Sequence, residues 1–293
     1  MKKIKLMIIA LVALTLTATV WAGQGETRPD DKSKEIETEL ARDPNNLKLI
    51  RRAGWTYFYQ ARQGDAQALD KAIQTFERGA ALAPMDSEFA SALGISNFMK
   101  IAFLARSQAG RDQIVSTVKQ TLAAFERAIE RAPDDATLLA AHGTVLTILA
   151  GFTNDGKTLM KGVEEMNRAV SANPKQVHPR LFRGFTHLNL PAVVRDQKAA
   201  VEDLNAILAV SRASYNEQAQ GVLRVMLGDL YFEAKDTAKA ESEYKAAAGL
   251  SSPPAEQARA RLELLKRGEP DAKAFAAYRA NVINCAICHT NQN

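Results

Sequence analysis

The pattern of apolar and polar positions predicts an all-α chain. Between residues 34 and 265 the sequence is rich in Ala, Leu, Glu, Arg and Gln, which favour helices. No run in it shows the strict alternation of a β-strand. A short helix over residues 33–42, closed by Asp43-Pro44, is predicted at the front, and a helix over residues 255–266 at the back. We expect both to cap the helical body, for which an irregular helical array is the alternative.

The helical body also repeats, with a small residue, an aromatic, an alanine, a second aromatic and a proline at set intervals. In the clearest unit Gly228 precedes Ala240 by 12 positions, and this order resembles the tetratricopeptide repeat (TPR). Other units keep the second half and stretch the first. The repeat positions are Gly54, Tyr57, Ala72, Phe76, Gly79 and Pro84; Leu93, Gly94, Phe125, Ala128 and Pro133; Gly143, Gly162, Met166, Ala169 and Pro174; Gly184, Ala200, Leu204 and Ile207; and Leu227, Gly228, Tyr231, Ala240, Tyr244, Ala247 and Pro253.

The resemblance implies a TPR-like α-solenoid of about five helix pairs, in which helix or connection lengths vary between units. Glycine lets the two helices of a pair approach closely. We expect the aromatic, Leu and Met positions to fill the gap between successive pairs, and proline to end the second helix of each unit.

The resemblance also implies a concave groove lined by the first helix of each pair. This groove is apolar and has few charges. It is filled by the protein itself (the carboxyl-terminal segment or a haem), or it takes an apolar ligand or a partner helix. The third interpretation is that the long first helices curl tightly and these residues are core. The groove positions are Lys48, Arg51, Trp55, Phe58 and Tyr59; Glu88, Ser91, Ile95, Phe98 and Met99; Thr137, Ala140, Thr144, Thr147 and Ile148; and His178, Leu181, Phe185, Leu188 and Asn189.

The amino terminus has the features of a secretory signal peptide over residues 1–22. A basic start precedes an apolar run over residues 6–20, and small residues at Val20 and Ala22 favour cleavage before Gly23. We expect a periplasmic or secreted protein with no integral membrane span after cleavage. An uncleaved anchor is the alternative. No cysteine follows the run directly, which argues against a lipoprotein.

Charge gives no argument for nucleic acid. The whole chain carries +5, but cleavage removes Lys2, Lys3 and Lys5, and 35 basic minus 33 acidic residues leaves +2. No tract concentrates Lys and Arg. Residues 23–34 are polar and charged and are predicted to be a flexible lead-in.

Near the carboxyl terminus the sequence reads Cys285-Ala286-Ile287-Cys288-His289, the pattern of a c-type haem attachment site. Each thiol can add to one haem vinyl group, and the following imidazole becomes the proximal ligand of the iron. We predict one covalent haem c. A dithiol redox site, a zinc site and a structural disulfide are the alternatives.

The residues before this motif predict a further helix. Gly268-Glu269-Pro270 breaks the helical run, and residues 272–284 resemble the first helix of small c-type cytochromes. Those proteins continue and wrap the haem, whereas four residues follow His289 in this sequence. We therefore expect the repeats or another protein to cover the haem.

The sixth ligand of the iron is open. His178, at a groove position at a helix start, is the candidate distal ligand, and Met99 is the methionine alternative. His142 and His187 sit at packing positions and are predicted to be core residues. A ligand from a second molecule and an open iron site are the remaining alternatives.

These features predict an exported monohaem c-type cytochrome in which the TPR-like scaffold presents the haem for electron transfer and protein docking to an unidentified redox partner. The alternatives are a periplasmic scaffold or assembly factor without redox activity, a haem protein that binds small molecules or acts on peroxide, and a homo-oligomer or filament. No catalytic triad, phosphate loop or zinc-protease motif occurs, which favours an electron carrier over an enzyme. The predicted organisation is a signal peptide (1–22), a lead-in (23–34), a repeat domain (35–267) and a haem segment (268–293).

Overall fold

The computed structural model of the protein describes residues 33–62, 64–191, 193–211, 217–251 and 254–267. The predicted signal peptide and the predicted haem segment lie outside these residues. Within them the chain forms twelve helices and no strand. The helices are α1 (Ser33–Arg42), α2 (Leu47–Arg62), α3 (Ala66–Leu82), α4 (Ser87–Arg106), α5 (Arg111–Arg131), α6 (Ala136–Thr153), α7 (Gly156–Ala172), α8 (Val177–Asn189), α9 (Gln197–Ser211), α10 (Glu217–Glu233), α11 (Thr237–Ala248) and α12 (Pro254–Lys266).

The helices pack as five consecutive pairs, α2/α3, α4/α5, α6/α7, α8/α9 and α10/α11, which confirms the predicted TPR-like α-solenoid fold class. Residues 33–172, with α1 to α7, form one compact unit, and residues 173–267, with α8 to α12, form another. In the first unit α1 packs on α2, and in the second α12 packs on α10 and α11. Both predicted capping helices are therefore present.

The stretched spacing of the repeats comes mainly from helix length. Four of the five pairs are joined by two to four residues, and the α8–α9 connection has seven. Helices within the pairs range from 12 residues in α11 to 21 in α5. The longest pair, α4/α5, is the unit in which the sequence spacing departs furthest from the usual repeat.

Aspartate and proline set the helix boundaries between pairs. Asp86 and Asp135 precede α4 and α6, and their carboxylates accept hydrogen bonds from backbone N–H groups of the first turn, one at Asp86 and two at Asp135. Such a cap is worth about 1 kcal/mol because it satisfies donors that the helix leaves unpaired. Pro84 and Pro133 lie two residues after the preceding helices end, where a missing N–H is tolerated.

Aromatic side chains pack on the glycines of their own pair. A Cβ on Gly54 would lie 2.4 Å from the Phe76 ring, and one on Gly228 would lie 2.3 Å from the Tyr244 ring. Phe76 and Tyr244 are fully buried. At these positions the ring occupies the space that glycine leaves within a pair.

Among the described residues, one helix, α6, is long and apolar enough to cross a membrane. Of this stretch 78% is buried inside the structure. Burial on this scale is typical of the core helix of a repeat protein, because a helix that is apolar on every side needs partners all round.

Candidate functional site

Most of the predicted groove positions are core. Their side chains are almost fully buried, so the third interpretation, that these residues are core, holds at these positions and not along most of α2. The buried positions are Phe58, Ser91, Phe98, Met99, Thr137, Ala140, Thr144, Thr147, Ile148, Leu181, Phe185 and Leu188.

One run of groove positions stays partly exposed, on α2. Lys48 is exposed, and Arg51, Trp55, Tyr59 and Arg62 are half-buried. They lie three or four residues apart, which places them on one face of the helix. We call these five residues the α2 stripe. Its centre is aromatic and both of its ends are basic.

The aromatic centre of the α2 stripe packs on buried aromatic rings. The Trp55 ring meets Phe58 edge to face at 5.4 Å and Phe76 at 5.2 Å between ring centroids. Tyr59 lies 6.4 Å from Trp55, and the Arg62 guanidinium lies 5.8 Å from the Tyr59 ring centroid. Such ring contacts contribute about 0.5–1.5 kcal/mol each beyond burial and fix the rings in place. The stripe thus presents ordered aromatic surface.

The two cations nearest the start of α2, Lys48 and Arg51, differ in whether a carboxylate pairs with them. Arg51 lies 2.6 Å from Asp86 and 2.7 Å from Glu88, and its guanidinium stacks 4.9 Å from the Phe89 ring centroid. Two carboxylates therefore neutralise its charge. Lys48 makes no ion pair within the described part of the chain.

Three histidines, His142, His178 and His187, lie among the described residues. His142 and His187 are buried, which confirms that they are core residues. His178, the predicted distal ligand, is half-buried in the first turn of α8. His289 lies outside the described residues, so the distal role of His178 stays a prediction.

His187 is held as a neutral ring. It is 1% exposed, and its Nδ1 accepts a hydrogen bond from the Asp196 backbone N–H at 3.1 Å. Burial lowers the pKa of His187 from its ordinary value of 6.5; the Asp196 and Asp203 carboxylates oppose this effect, and Arg183 and Arg195 reinforce it. Protonation at Nδ1 would remove the acceptor of the Asp196 N–H at the start of α9.

This geometry predicts acid destabilisation. Below pH 6.5 the unfolded chain takes up a proton on His187 that the folded chain resists, so the free energy of unfolding falls as pH falls through 6.5. The maximum slope from one group is about 1.4 kcal/mol per pH unit. Urea unfolding between about pH 7.5 and about pH 5.5 measures it. His187→Gln should flatten the dependence, whereas the matched variant His178→Gln should keep it; equal slopes in both variants would contradict this account.

The predicted haem site, Cys285, Cys288 and His289, lies outside the described residues. Within the described ranges no three His, Cys, Asp or Glu side chains are placed to hold a metal ion. The fit of a haem therefore rests on the donor set alone: two thiols for two vinyl groups and one imidazole for the iron.

Two features of the folded chain were missed from the sequence. Arg62 extends the α2 stripe by one turn beyond the groove positions that the repeat supplies, and helical spacing from Tyr59 would have found it. The buried contact of Glu165 with His142, at 2.6 Å, joins residues of two helices, and no spacing rule indicates it.

Comparison with known proteins supports the fold. No protein-family model matches the chain, and no curated protein is significantly similar to it in sequence. Among solved structures, a thermophilic TPR protein from Thermus thermophilus has 16% identity and a TM-score of 0.50, over 81% of this chain and 98% of its own. A tetratricopeptide repeat protein from Parabacteroides merdae has 13% identity and a TM-score of 0.52, over 86% and 90%. Yeast Tom70 has 16% identity and a TM-score of 0.51, over 90% of this chain and 49% of its own. At these identities the likeness shows the TPR-like fold alone.

Proposed function

We propose that the protein is an exported TPR-like scaffold that binds a protein partner through the α2 stripe. The observation that carries this proposal is the contrast between α2 and the other first helices. Their groove positions are mostly buried, whereas the α2 stripe keeps aromatic and basic side chains at the surface. Export follows from the predicted signal peptide over residues 1–22.

The chemistry of the stripe favours a partner segment that combines an apolar side chain with a carboxylate. Trp55 and Tyr59 offer rigid aromatic surface, the residue type that dominates binding energy at interfaces. Lys48 supplies a positive charge without a partner among the described residues. Arg51 is already paired with Asp86 and Glu88, so it orders the surface rather than attracting the ligand.

A fluorescence titration tests this docking. The chain has two tryptophans, and Trp21 lies in the predicted signal peptide, so Trp55 alone reports on the mature protein. A synthetic peptide of alternating Phe and Glu should change Trp55 emission, and the same peptide with Lys in place of Glu should not. Tyr59→Ala and Lys48→Glu should each weaken binding at least about fivefold, since a central interface residue contributes about 1 kcal/mol or more.

The matched control for charge is Lys119→Glu, at an exposed position on α5. It should leave the affinity for the acidic peptide unchanged. If Lys48→Glu and Lys119→Glu weaken binding equally, the attraction is to net charge and the α2 stripe is not the docking site.

The attachment motif favours a second candidate function, in which the scaffold also carries a covalent haem c. Cys285 and Cys288 would form the thioethers, and His289 would be the proximal ligand. Such a group supplies one-electron chemistry, while the protein holds it, covers it and sets its ligation. With His178 or another sixth ligand the protein would be a monohaem electron carrier; with an open position it would bind small molecules or act on peroxide.

A pyridine haemochrome assay separates the two functions. The protein is expressed with a haem-attachment system, purified in its mature form and tested for haem that survives denaturation. Covalent haem supports the second candidate, and its absence leaves a scaffold without redox activity. In the haem-bearing protein, rapid binding of carbon monoxide to the reduced form would count against a six-coordinate electron carrier.

A further inference from the structure

A buried histidine joins three helices of the first unit. His142, on α6, lies with Nδ1 2.6 Å from the Glu165 carboxylate on α7 and with Nε2 3.7 Å from the Glu126 carboxylate on α5. The side chains of His142 and Glu165 are 5% and 11% exposed, whereas that of Glu126 is 59% exposed. The cluster therefore runs from the interior of the unit to its surface.

The ring of His142 is fixed in place. Next to it α6 and α7 reach a very close approach, since a Cβ on Gly143 would lie 2.5 Å from the Gly162 carbonyl oxygen. A hydrogen bond of 2.6 Å joins Nδ1 to the Glu165 carboxylate, and Nε2 lies toward Glu126. When one nitrogen of a histidine binds a metal, the other usually hydrogen-bonds to a carboxylate, which holds the ring and raises its basicity.

Nε2 of His142 and the Glu126 carboxylate face each other without forming a hydrogen bond. Nε2 of His142 is buried and has no hydrogen-bond partner among the described residues. At 3.7 Å the Glu126 oxygen is too distant for a good hydrogen bond, whose N···O distance is about 2.7–3.2 Å.

We propose that His142 Nε2 and the Glu126 carboxylate bind a divalent cation of the Zn²⁺ class, with Glu165 as the outer carboxylate. Zinc lies about 2.0–2.1 Å from a histidine nitrogen and about 2.0–2.2 Å from a carboxylate oxygen. Since these two lengths add to about 4.1 Å, one ion can contact both atoms across 3.7 Å.

The exposure of Glu126 leaves the remaining coordination positions of the ion to water. With two protein ligands the site differs from the three- and four-ligand sites of zinc enzymes and zinc fingers. It is therefore a reversible site that links α5 to α6 and stabilises the first unit when the ion is bound. Nickel and cobalt ions suit the same imidazole and carboxylate donors.

Calorimetric titration with ZnCl₂ tests the site. The chain used carries Cys285→Ala, Cys288→Ala and His289→Ala, so that the terminal thiols and imidazole take no zinc. We expect one ion per chain and a rise in the unfolding temperature on adding Zn²⁺. Glu126→Gln should weaken binding at least about tenfold, and Glu165→Gln about 10–100-fold, the usual loss for an outer-shell carboxylate.

The matched control is Glu130→Gln, an exposed glutamate one turn further along α5, which should bind zinc as tightly as the parent. Because Glu126 is 59% exposed, its replacement tests binding without loss of the core. Glu126→His, which restores a zinc ligand, should recover binding. No zinc uptake by the parent chain, or equal uptake by Glu126→Gln, would overturn the proposal.

Discussion

Arg261→Met is expected to lower the free energy of unfolding by about 3–5 kcal/mol, the usual cost of leaving one buried charge without its partner. Arg261 is fully buried on α12, and its guanidinium contacts both carboxylate oxygens of Asp229 on α10, at 2.6 and 2.9 Å. Asp229 is 2% exposed, and in the variant the hydrogen bond that remains to it among the described residues is the one that the Tyr244 hydroxyl donates, at 2.7 Å. A single hydroxyl cannot replace a bidentate cation.

Chemical unfolding followed by circular dichroism measures the loss. The matched control, Arg259→Met, changes an exposed arginine on the same helix and should cost less than about 1 kcal/mol. The double variant Asp229→Leu with Arg261→Met replaces both buried charges by apolar groups and should recover much of the lost stability. If Arg261→Met and Arg259→Met were equally mild, the ion pair would not be what holds α12 on its unit.

This ion pair shows where prediction from the sequence stopped. The helix over residues 255–266 was predicted as a back cap, and α12 begins one residue earlier. What attaches it was not predicted, because Arg261 stands among other charged residues and has the pattern of a surface cation. Its partner, Asp229, lies 32 positions earlier in the chain. Helix formation depends on local sequence, whereas a contact between elements depends on how they pack.

The groove positions show the same limit. The register carried over from the repeat selects one face of each first helix. How far the side chains on that face are buried depends on which helices pack over them. In α6, Thr144 and Thr147 are fully buried, and both hydroxyls bond to carbonyls of their own helix. Such intrahelical bonds satisfy polar groups without a ligand. The uniformly apolar composition of α6 was the signal that its groove face is core.

The burial of His142 and His187 was predicted correctly, but their hydrogen-bond partners were not predicted. His142 and His187 occupy packing positions of the repeat, and both are buried. Their partners are Glu165, 23 positions away on the next helix, and the Asp196 N–H, 9 positions away across a connection. Repeat spacing says that a position is interior; it does not say which polar group meets it.

Double replacement of Cys285 and Cys288 by alanine is expected to abolish covalent haem altogether, because no other thiol exists in the chain. Haem staining after denaturing electrophoresis and the mass of the intact protein measure the loss. Each single alanine variant should keep at most one thioether. His289→Ala keeps both thiols, so any haem it carries should show a changed spectrum from the loss of the proximal imidazole. A parent protein without haem, made in a host that attaches haem to other c-type cytochromes, would contradict the prediction.

The same double cysteine variant separates docking from redox chemistry. Its circular dichroism should match that of the parent, because the twelve helices of the described residues lie before both cysteines in the chain. Its affinity for the acidic aromatic peptide should also be unchanged if the α2 stripe binds on its own, since the stripe spans residues 48–62. If instead the haemless variant loses peptide binding while it stays folded, haem and partner share one site. The scaffold and cytochrome functions would then be a single function, in which docking requires the haem.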